Sequence, residues 1–197
     1  TLVNALVGQK VAIVSPKAQT TRTRLMGIAI EGDAQIILVD TPGIFAPNRR
    51  LDRAMVAAAW EGASDADLIL AVVDGRAGAG PKVEKIIEGL VNRPERKWLI
   101  LNKVDIAAKE KLLALTEKLL NLCAFEQIYY ISAATADGLA ELKAAIGAAM
   151  PESEWHFPED QLSDASERSA AAAIAREQLC LQLHDELPYA STVETEK

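Results

Sequence analysis

The sequence has few of the features that mark secreted, metal-binding or membrane-spanning proteins. Its two cysteines, Cys123 and Cys180, lie far apart and without the spacing of metal ligands, so we expect reduced thiols in or near a core. No apolar run approaches the roughly 20 residues that cross a bilayer, and no secretion signal is recognisable at the start of the sequence. These absences favour an intracellular, cytoplasmic protein.

Histidine and positive charge are also scarce. Neither His156 nor His184 has a serine or cysteine nucleophile in a recognisable context nearby, which argues against an enzyme built on a histidine base. Acidic residues number 28 against 21 lysines and arginines, so the net charge is -7. A molecule of this charge repels phosphate backbones as a whole, and any binding to nucleic acid requires a local patch.

What is present is the pattern of an α/β fold. Short runs rich in Ile, Leu and Val predict buried strands, and apolar stripes at helical spacing predict the helices between them. Strands that alternate with crossover helices indicate a mainly parallel sheet with helices on both faces. Glu31-Gly32-Asp33 joins the first two strands too closely for a crossover, so we expect that pair to be antiparallel and one edge of the sheet to be mixed. The predicted strands are residues 25–30, 35–39, 68–73, 98–101 and 127–131, and the predicted helices are residues 81–91, 111–120 and 139–146.

The chain divides into two units of unequal size. Residues 1–150 contain the predicted α/β domain, and residues 151–163 are polar and punctuated by proline, as is typical of a linker. Residues 164–197 begin a second unit with a capped helix start, and we expect this unit to be truncated because its terminal strand has no partner. Residues 2–8 have the pattern of a helix with a glycine stop.

One polar segment follows the second predicted strand directly. In Asp40-Thr41-Pro42-Gly43 the carboxylate of Asp40 can hold magnesium through water, and the glycine allows a backbone N–H to approach a terminal phosphate. The next residue, Ile44, is counted with this segment among the candidate nucleotide-binding residues. An ordinary turn explains the same four residues, so the segment alone decides little.

A second polar segment, Asn102-Lys103-Val104-Asp105, follows the fourth predicted strand. The carboxylate of Asp105 can accept hydrogen bonds from the ring N–H and the exocyclic amine of guanine, a donor pair that adenine lacks. Asn102 would tie neighbouring loops together, and the stem of Lys103 would cover the plane of the base. The alternative is a helix start capped by Asp105.

A third segment, Ser132-Ala133-Ala134, follows the fifth predicted strand. Its small side chains leave room for a backbone N–H to reach the guanine carbonyl. The three segments, in this order and each at the carboxyl end of a buried strand, resemble those of Ras-like, translation-factor-related GTPases. The resemblance implies a P-loop NTPase-type fold, bound GTP or GDP, and hydrolysis of GTP to GDP and phosphate.

The polar, basic stretch of residues 17–24 predicts a loop that corresponds to the first switch of such GTPases. The resemblance implies that Thr21, with Thr20 as second choice, closes over magnesium and the terminal phosphate. It makes Thr21 and Gly43 the catalytic candidates, with Thr21 and, through water, Asp40 as magnesium ligands. The alternative is an ordinary solvated loop. The predicted switch residues are Gln19, Thr20, Thr21, Arg22 and Thr23.

Residues 15–22, 156–160 and 186–189 narrow the resemblance to the bacterial Era family, whose first switch, linker and entry to a KH domain they are similar to. The resemblance implies that residues 164–197 begin a KH domain that binds 16S ribosomal RNA and that the protein acts in assembly of the small ribosomal subunit. It further implies a monomer, some peripheral association with the inner membrane, and potassium as a candidate second cation.

Two parts of the family pattern are not found in the sequence. The phosphate-binding loop would end just before Thr1, and the G-x-x-G loop of the KH domain would follow Lys197. Ile44 stands where Ras-type enzymes place a water-orienting glutamine, which predicts slow intrinsic turnover. The alternatives are a GTP-gated RNA-binding module that does not hydrolyse GTP, and a related tRNA-modification GTPase.

Overall fold

A computed structural model describes residues 1–12, 25–40 and 66–163, together with residues 175, 177, 178 and 182. All five predicted strands are confirmed, and their ends differ from the prediction by at most two residues. The elements are α1 (Leu2–Val7), β1 (Leu25–Glu31), β2 (Ala34–Asp40), β3 (Leu68–Asp74), α2 (Pro81–Leu90), β4 (Arg96–Asn102), a 3-10 turn (Val104–Ile106), α3 (Lys109–Leu122), β5 (Gln127–Ile131) and α4 (Leu139–Ala149).

Local sequence explains where the helices begin and end. Pro81 occupies the first turn of α2, where its missing N–H costs no hydrogen bond. Gly8 follows α1 in the left-handed conformation, with φ 81°, and its N–H donates to Asn4 O. A glycine in this conformation ends a helix without the steric cost that a side chain would bring. The predicted glycine stop is therefore confirmed.

Three strands form a parallel sheet in the order β3-β4-β5. Helices cover both faces: α2 and α3 pack on one, and α1 and α4 on the other. The central strand β4 supplies both cores, because its alternating side chains point to opposite faces. Its buried residues Leu99 and Leu101 belong to the first core, and Trp98 and Ile100 to the second. The prediction of an α/β domain with a two-sided parallel sheet is confirmed.

The hairpin of β1 and β2 is antiparallel, as predicted, but it is not an edge of the same sheet. Among the described residues, β1 and β2 form a separate two-stranded sheet that shares no backbone ladder with β3. The expectation of one mixed sheet is therefore wrong for this part of the chain. Ala29 and Ile36 join the core beneath α1 and α4, so side-chain packing attaches the hairpin to the domain.

Residues 151–163 contain neither a helix nor a strand, and they run along the hairpin. The side-chain oxygen of Gln35 accepts hydrogen bonds from the backbone N–H groups of His156 and Phe157, both at 3.0 Å. Its amide nitrogen donates to Phe157 O at 2.8 Å. The indole N–H of Trp155 donates to Asp33 O at 2.9 Å. The predicted linker is thus anchored to the hairpin by hydrogen bonds between side chains and backbone groups.

The end of this segment continues the hairpin. Ile28 N donates to Leu162 O at 2.9 Å, and Gly27 forms an antiparallel bridge with Ser163. Residues 162 and 163 therefore cover part of the outer edge of β1, which would otherwise present unpaired backbone groups. In the part of the chain that the structure describes, no helix is long and apolar enough to span a membrane.

Candidate functional site

The carboxyl ends of the three parallel strands bring the predicted base-binding segments together. Asp74, at the end of β3, lies beside Asn102, and Asn102 lies beside Ile131 of β5. The loops that follow these strands therefore leave the sheet at the same edge, where open α/β sheets bind ligands. The 3-10 turn that begins at Val104 also contacts β5.

Asn102 joins two of these loops through a single atom. Its Oδ1 accepts hydrogen bonds from Lys103 N at 2.8 Å and from Ala133 N at 3.0 Å. The amide oxygen has two lone pairs, so both bonds can form at once. The structure agrees with the expectation that Asn102 ties neighbouring loops together.

Lys103 has a backbone conformation that is unusual for a residue with a side chain. Its φ is 67° and its ψ 37°, in the left-handed region, which costs roughly 1–2 kcal/mol for a residue other than glycine. Its ammonium group lies 2.6 Å from Asp74 Oδ2. Asn102 holds the backbone of Lys103 and Asp74 holds the end of its side chain, so the stem between them has little freedom.

Asp74 is a member of this site that the sequence analysis missed. Its Oδ1 accepts hydrogen bonds from Arg76 N at 2.9 Å and Ala77 N at 3.0 Å, while Oδ2 faces Lys103. Partial burial raises the pKa of Asp74, but the hydrogen bonds from Lys103 and from these backbone groups outweigh it and hold the pKa below its ordinary value. The signal was available, because Asp74 directly follows an apolar run, as Asp40 does.

The glycine after Asp74 allows β3 and β4 to approach closely. Gly75 N donates to Asn102 O at 2.8 Å. A Cβ atom at Gly75 would lie 3.1 Å from that same oxygen and 2.6 Å from a methyl carbon of Leu112. Only glycine fits here without displacement of the strand end that carries Asn102.

Asp105 is exposed to solvent. Within the described ranges, its carboxylate forms neither a hydrogen bond nor an ion pair with the protein. The alternative role, a side-chain cap of a helix start, is wrong: Lys103 is the cap residue of the 3-10 turn and Ala108 that of α3, and neither start has a side-chain hydrogen bond. The acceptor oxygens of Asp105 are thus available to a ligand.

In the loop after β5, two of the three candidate N–H groups already have partners. Ser132 is fully buried, and its N–H donates to Asp137 O at 3.0 Å. The N–H of Ala133 donates to Asn102, as described above. The N–H of Ala134 has no partner among the residues described. The geometry therefore selects Ala134 as the donor that remains for a guanine carbonyl.

The predicted phosphate and magnesium segments are described only at Asp40. This residue ends β2 and is partly exposed. A carboxylate is the hard oxygen donor that magnesium prefers, and the magnesium role of Asp40 stays a prediction. Residues 41–44 and the switch residues 19–23, with the catalytic candidates Thr21 and Gly43, lie outside the described residues, and their predicted roles stay predictions.

These groups have the chemical types that recognition of one edge of guanine requires. A carboxylate acceptor at Asp105 and an N–H donor at Ala134 match the donors and the carbonyl acceptor of guanine. The stem of Lys103 supplies an apolar surface of the kind that covers the plane of a base. Asn102 fixes the loop of the acceptor relative to the loop of the donor.

Comparisons with known proteins identify the family of the chain. The family described as 50S ribosome-binding GTPase matches residues 1–103. The chain is 59% identical to GTPase Era of Erythrobacter litoralis and 54% identical to GTPase Era of Afipia carboxidovorans. Both alignments cover 100% of the chain, which spans 66% and 64% of the lengths of these relatives.

Solved structures give the same result. Era in complex with MgGDPNP and nucleotides 1506–1542 of 16S ribosomal RNA matches with a TM-score of 0.88 at 36% identity, over 95% of this chain and 64% of that one. An Aquifex aeolicus Era variant bound to GDP and AlF4- matches with a TM-score of 0.87, also at 36% identity and with the same coverage. The chain belongs to the 50S ribosome-binding GTPase family and, within it, to the Era GTPases.

Proposed function

We propose that the protein binds guanine nucleotides at the carboxyl edge of its parallel sheet and hydrolyses GTP to GDP and phosphate. One observation carries the proposal: Asn102 Oδ1 connects the loop that bears Asp105 to the loop that bears Ala134. The two groups with the chemistry to recognise guanine thus belong to one hydrogen-bonded unit.

Base recognition follows from which groups are left without protein partners. Asp105 accepts hydrogen bonds from the ring N–H and exocyclic amine of guanine, and Ala134 N–H donates to its carbonyl. Adenine would place no donor pair against Asp105, and an unpaired carboxylate against a bound base is costly. Discrimination of this type reaches about 10⁴-fold.

The test exchanges the acceptor at position 105 for a donor. We expect Asp105→Asn in the full-length protein to lower GTP affinity by at least about 100-fold and to strengthen binding of xanthosine triphosphate, whose ring has a carbonyl in place of the amine. Calorimetric titration with both nucleotides measures the exchange. Asp33→Asn is the matched control, because Asp33 is also exposed but lies in the hairpin turn. Unchanged GTP affinity in Asp105→Asn would overturn the assignment.

Hydrolysis depends on positioning and on neutralisation of charge rather than on covalent chemistry. Magnesium, held by Thr21 and through water by Asp40, would supply positive charge beside the phosphates. Gly43 N–H binds the terminal phosphate, and its lack of a side chain permits this approach. Ile44, an apolar residue, cannot orient the attacking water.

We expect slow intrinsic turnover that potassium, RNA or the ribosomal subunit accelerates. A single-turnover assay of phosphate release, with and without small ribosomal subunits and with potassium exchanged for sodium, measures each effect. Fast turnover by the purified full-length protein without any activator would contradict this mechanism. Absence of phosphate release under every condition would favour the alternative, a GTP-gated RNA-binding module.

The proposed partner is 16S ribosomal RNA, bound through a KH domain that begins at residue 164, and the proposed role is assembly of the small ribosomal subunit. The Era complex with a 16S fragment supports this partner, and the net charge of -7 requires a local binding surface. Titration of the full-length protein with nucleotides 1506–1542 of 16S ribosomal RNA tests the partner. Equal affinity for an unrelated RNA of the same length would count against it.

Cellular location and assembly state belong to the same proposal. We place the protein in the cytoplasm as a monomer, with peripheral association with the inner membrane. Cell fractionation with and without a high-salt wash measures the membrane-bound share, and light scattering after size exclusion measures the mass in solution. Protein that resists the salt wash, or a dimeric mass, would refute the corresponding part.

A further inference from the structure

Lys103, the residue proposed to cover the base, has a long flexible side chain, but its backbone and its ammonium group are both held by other residues. Lys103 combines a left-handed backbone with a side chain that is 52% exposed. Exposed lysines ordinarily sample many rotamers, and ordering one on binding costs free energy. A lysine that is already oriented in the free protein avoids much of that cost.

Asp74 is fixed from the opposite side. One carboxylate oxygen caps the turn after β3 by accepting from two backbone N–H groups, Arg76 N and Ala77 N. The other oxygen meets Lys103 Nζ at 2.6 Å. The carboxylate is therefore held by the sheet and its turn, independently of any nucleotide, and the lysine end is held by the carboxylate.

We propose that Asp74 is a positioning residue for guanine-nucleotide binding, which sets the stem of Lys103 in its base-covering orientation before the nucleotide arrives. This inference rests on the proposed function of the site. Asp74 acts through Lys103 and has no required contact with the nucleotide. Oδ1 of Asp74 stabilises the turn after β3, and Oδ2 orients Lys103.

Because the two oxygens of Asp74 have different partners, one substitution can remove the contact with Lys103 and keep the contacts with the turn. Asp74→Asn keeps a side-chain oxygen for the two N–H groups of the turn but removes the charge that faces Lys103. We expect GDP affinity of the full-length protein to fall three- to fivefold, the upper range for a partly exposed ion pair, with most of the change in the dissociation rate. Stopped-flow release of fluorescent GDP measures that rate.

The chain offers a matched control. Lys118 and Glu84 form an ion pair between α3 and α2 with nearly the same exposure, 50% and 31% against 52% and 33% for Lys103 and Asp74. Lys118 also donates to Ala79 O at 3.1 Å, and among the described residues neither Lys118 nor Glu84 forms a hydrogen bond or ion pair with Asp74 or Lys103. Glu84→Gln should leave GDP release unchanged.

A double-mutant cycle separates positioning from general stabilisation. Lys103→Met keeps an apolar stem but has no charge for Asp74 to hold. If Asp74 acts through Lys103, Asp74→Asn in the Lys103→Met background should change GDP release by less than 1.5-fold, well below its effect in the wild type. An equal effect in both backgrounds would overturn the proposal, because it would show that Asp74 acts independently of Lys103.

Two further outcomes of the GDP-release experiment would also decide the proposal. Unchanged GDP release in Asp74→Asn would refute the proposal directly. If that variant fails to fold, Asp74→Ser, which retains a short acceptor for the turn, removes the same charge and should reproduce the three- to fivefold loss; unchanged release would refute the proposal. Failure here differs from failure of the proposed function, since Asp105→Asn would still exchange guanine for xanthine nucleotides.

Discussion

Two amide side chains each connect two segments of the chain through hydrogen bonds, at different places in the molecule. Asn102 joins two loops at the carboxyl edge of the parallel sheet, and Gln35 joins the β1–β2 hairpin to residues 156 and 157. In each, the side-chain oxygen accepts hydrogen bonds from two backbone N–H groups. One amide supports the proposed nucleotide site, and the other attaches the segment that leads out of the domain.

The two regions differ in what they leave open. Around Gln35, both the oxygen and the nitrogen of the amide are engaged, and Trp155 adds a further bond to the backbone of Asp33. Beside Asn102, in the part of the chain that is described, the carboxylate of Asp105 and the N–H of Ala134 have no protein partner. An amide whose oxygen and nitrogen both bond to the protein indicates a structural junction. Polar groups exposed at the carboxyl edge of a parallel sheet are instead placed where such sheets bind ligands.

The largest expected effect is on the free energy of unfolding, and it distinguishes two glycines that both have positive φ. Gly138 after β5 has φ 69°, and a Cβ there would lie 2.7 Å from Tyr130 O, whereas Gly32 in the hairpin has φ 57° and open space around it. We expect Gly138→Ala to lower the free energy of unfolding by about 3 kcal/mol, from strain plus the clash. Gly32→Ala should cost only about 1 kcal/mol. Urea denaturation measures both, and equal losses would contradict the packing described around Gly138.

The next effect compares the two amides directly. Asn102→Ala and Gln35→Ala each leave two backbone N–H groups without their acceptor, and we expect each to cost about 1–2 kcal/mol of stability. Only Asn102→Ala should weaken GDP binding, by at least about tenfold. Thermal unfolding and GDP titration of the full-length variants measure the two properties. A comparable loss of GDP affinity in Gln35→Ala would remove the distinction between junction and binding surface.

The smallest effect concerns pH. Hydrogen bonds hold the folded-state pKa of Asp74 below its ordinary value of 3.8, so its contribution to stability is present above that value and is lost as the pH falls through the lowered pKa. The stability difference between wild type and Asp74→Asn should therefore be constant near neutral pH and shrink below about pH 4.

Urea denaturation between pH 3 and pH 7 measures this change. Gln35→Ala is the control, because the contacts of Gln35 involve only amide and backbone groups. Its stability loss should not vary over the same range. A wild-type advantage over Asp74→Asn that persists unchanged at pH 3 would show that the ion pair does not depress the pKa.

Short-range signals in the sequence predicted most of the fold. The apolar runs located five strands, and the residue types after the fourth and fifth strands identified the segments that the sheet then brings together. These predictions succeeded because burial and turn formation depend on residues that are close together in the sequence. Asp74 was missed although it obeys the same rule, since its partner Lys103 is 29 residues away and only the strand register makes them neighbours.

The attachment of residues 151–163 was not predictable in the same way. A polar segment with prolines has no periodicity, and Gln35 is an ordinary polar residue within a strand. Only the folded arrangement places its amide against backbone groups more than 120 residues later. Among the described residues, the hairpin also shares no backbone ladder with the parallel sheet, which the apolar patterns did not predict.

By itself, the sequence determined the alternation of strands and helices, the antiparallel hairpin and the residue types of the segment proposed to bind guanine, because each depends on residues close together in the chain. The tertiary structure decided which of three backbone N–H groups remains available, that Asp105 is not a cap, and that Asp74 holds Lys103. These facts depend on distances between separate loops. Such distances are set by the register of parallel strands, which hydrogen bonds between distant segments establish.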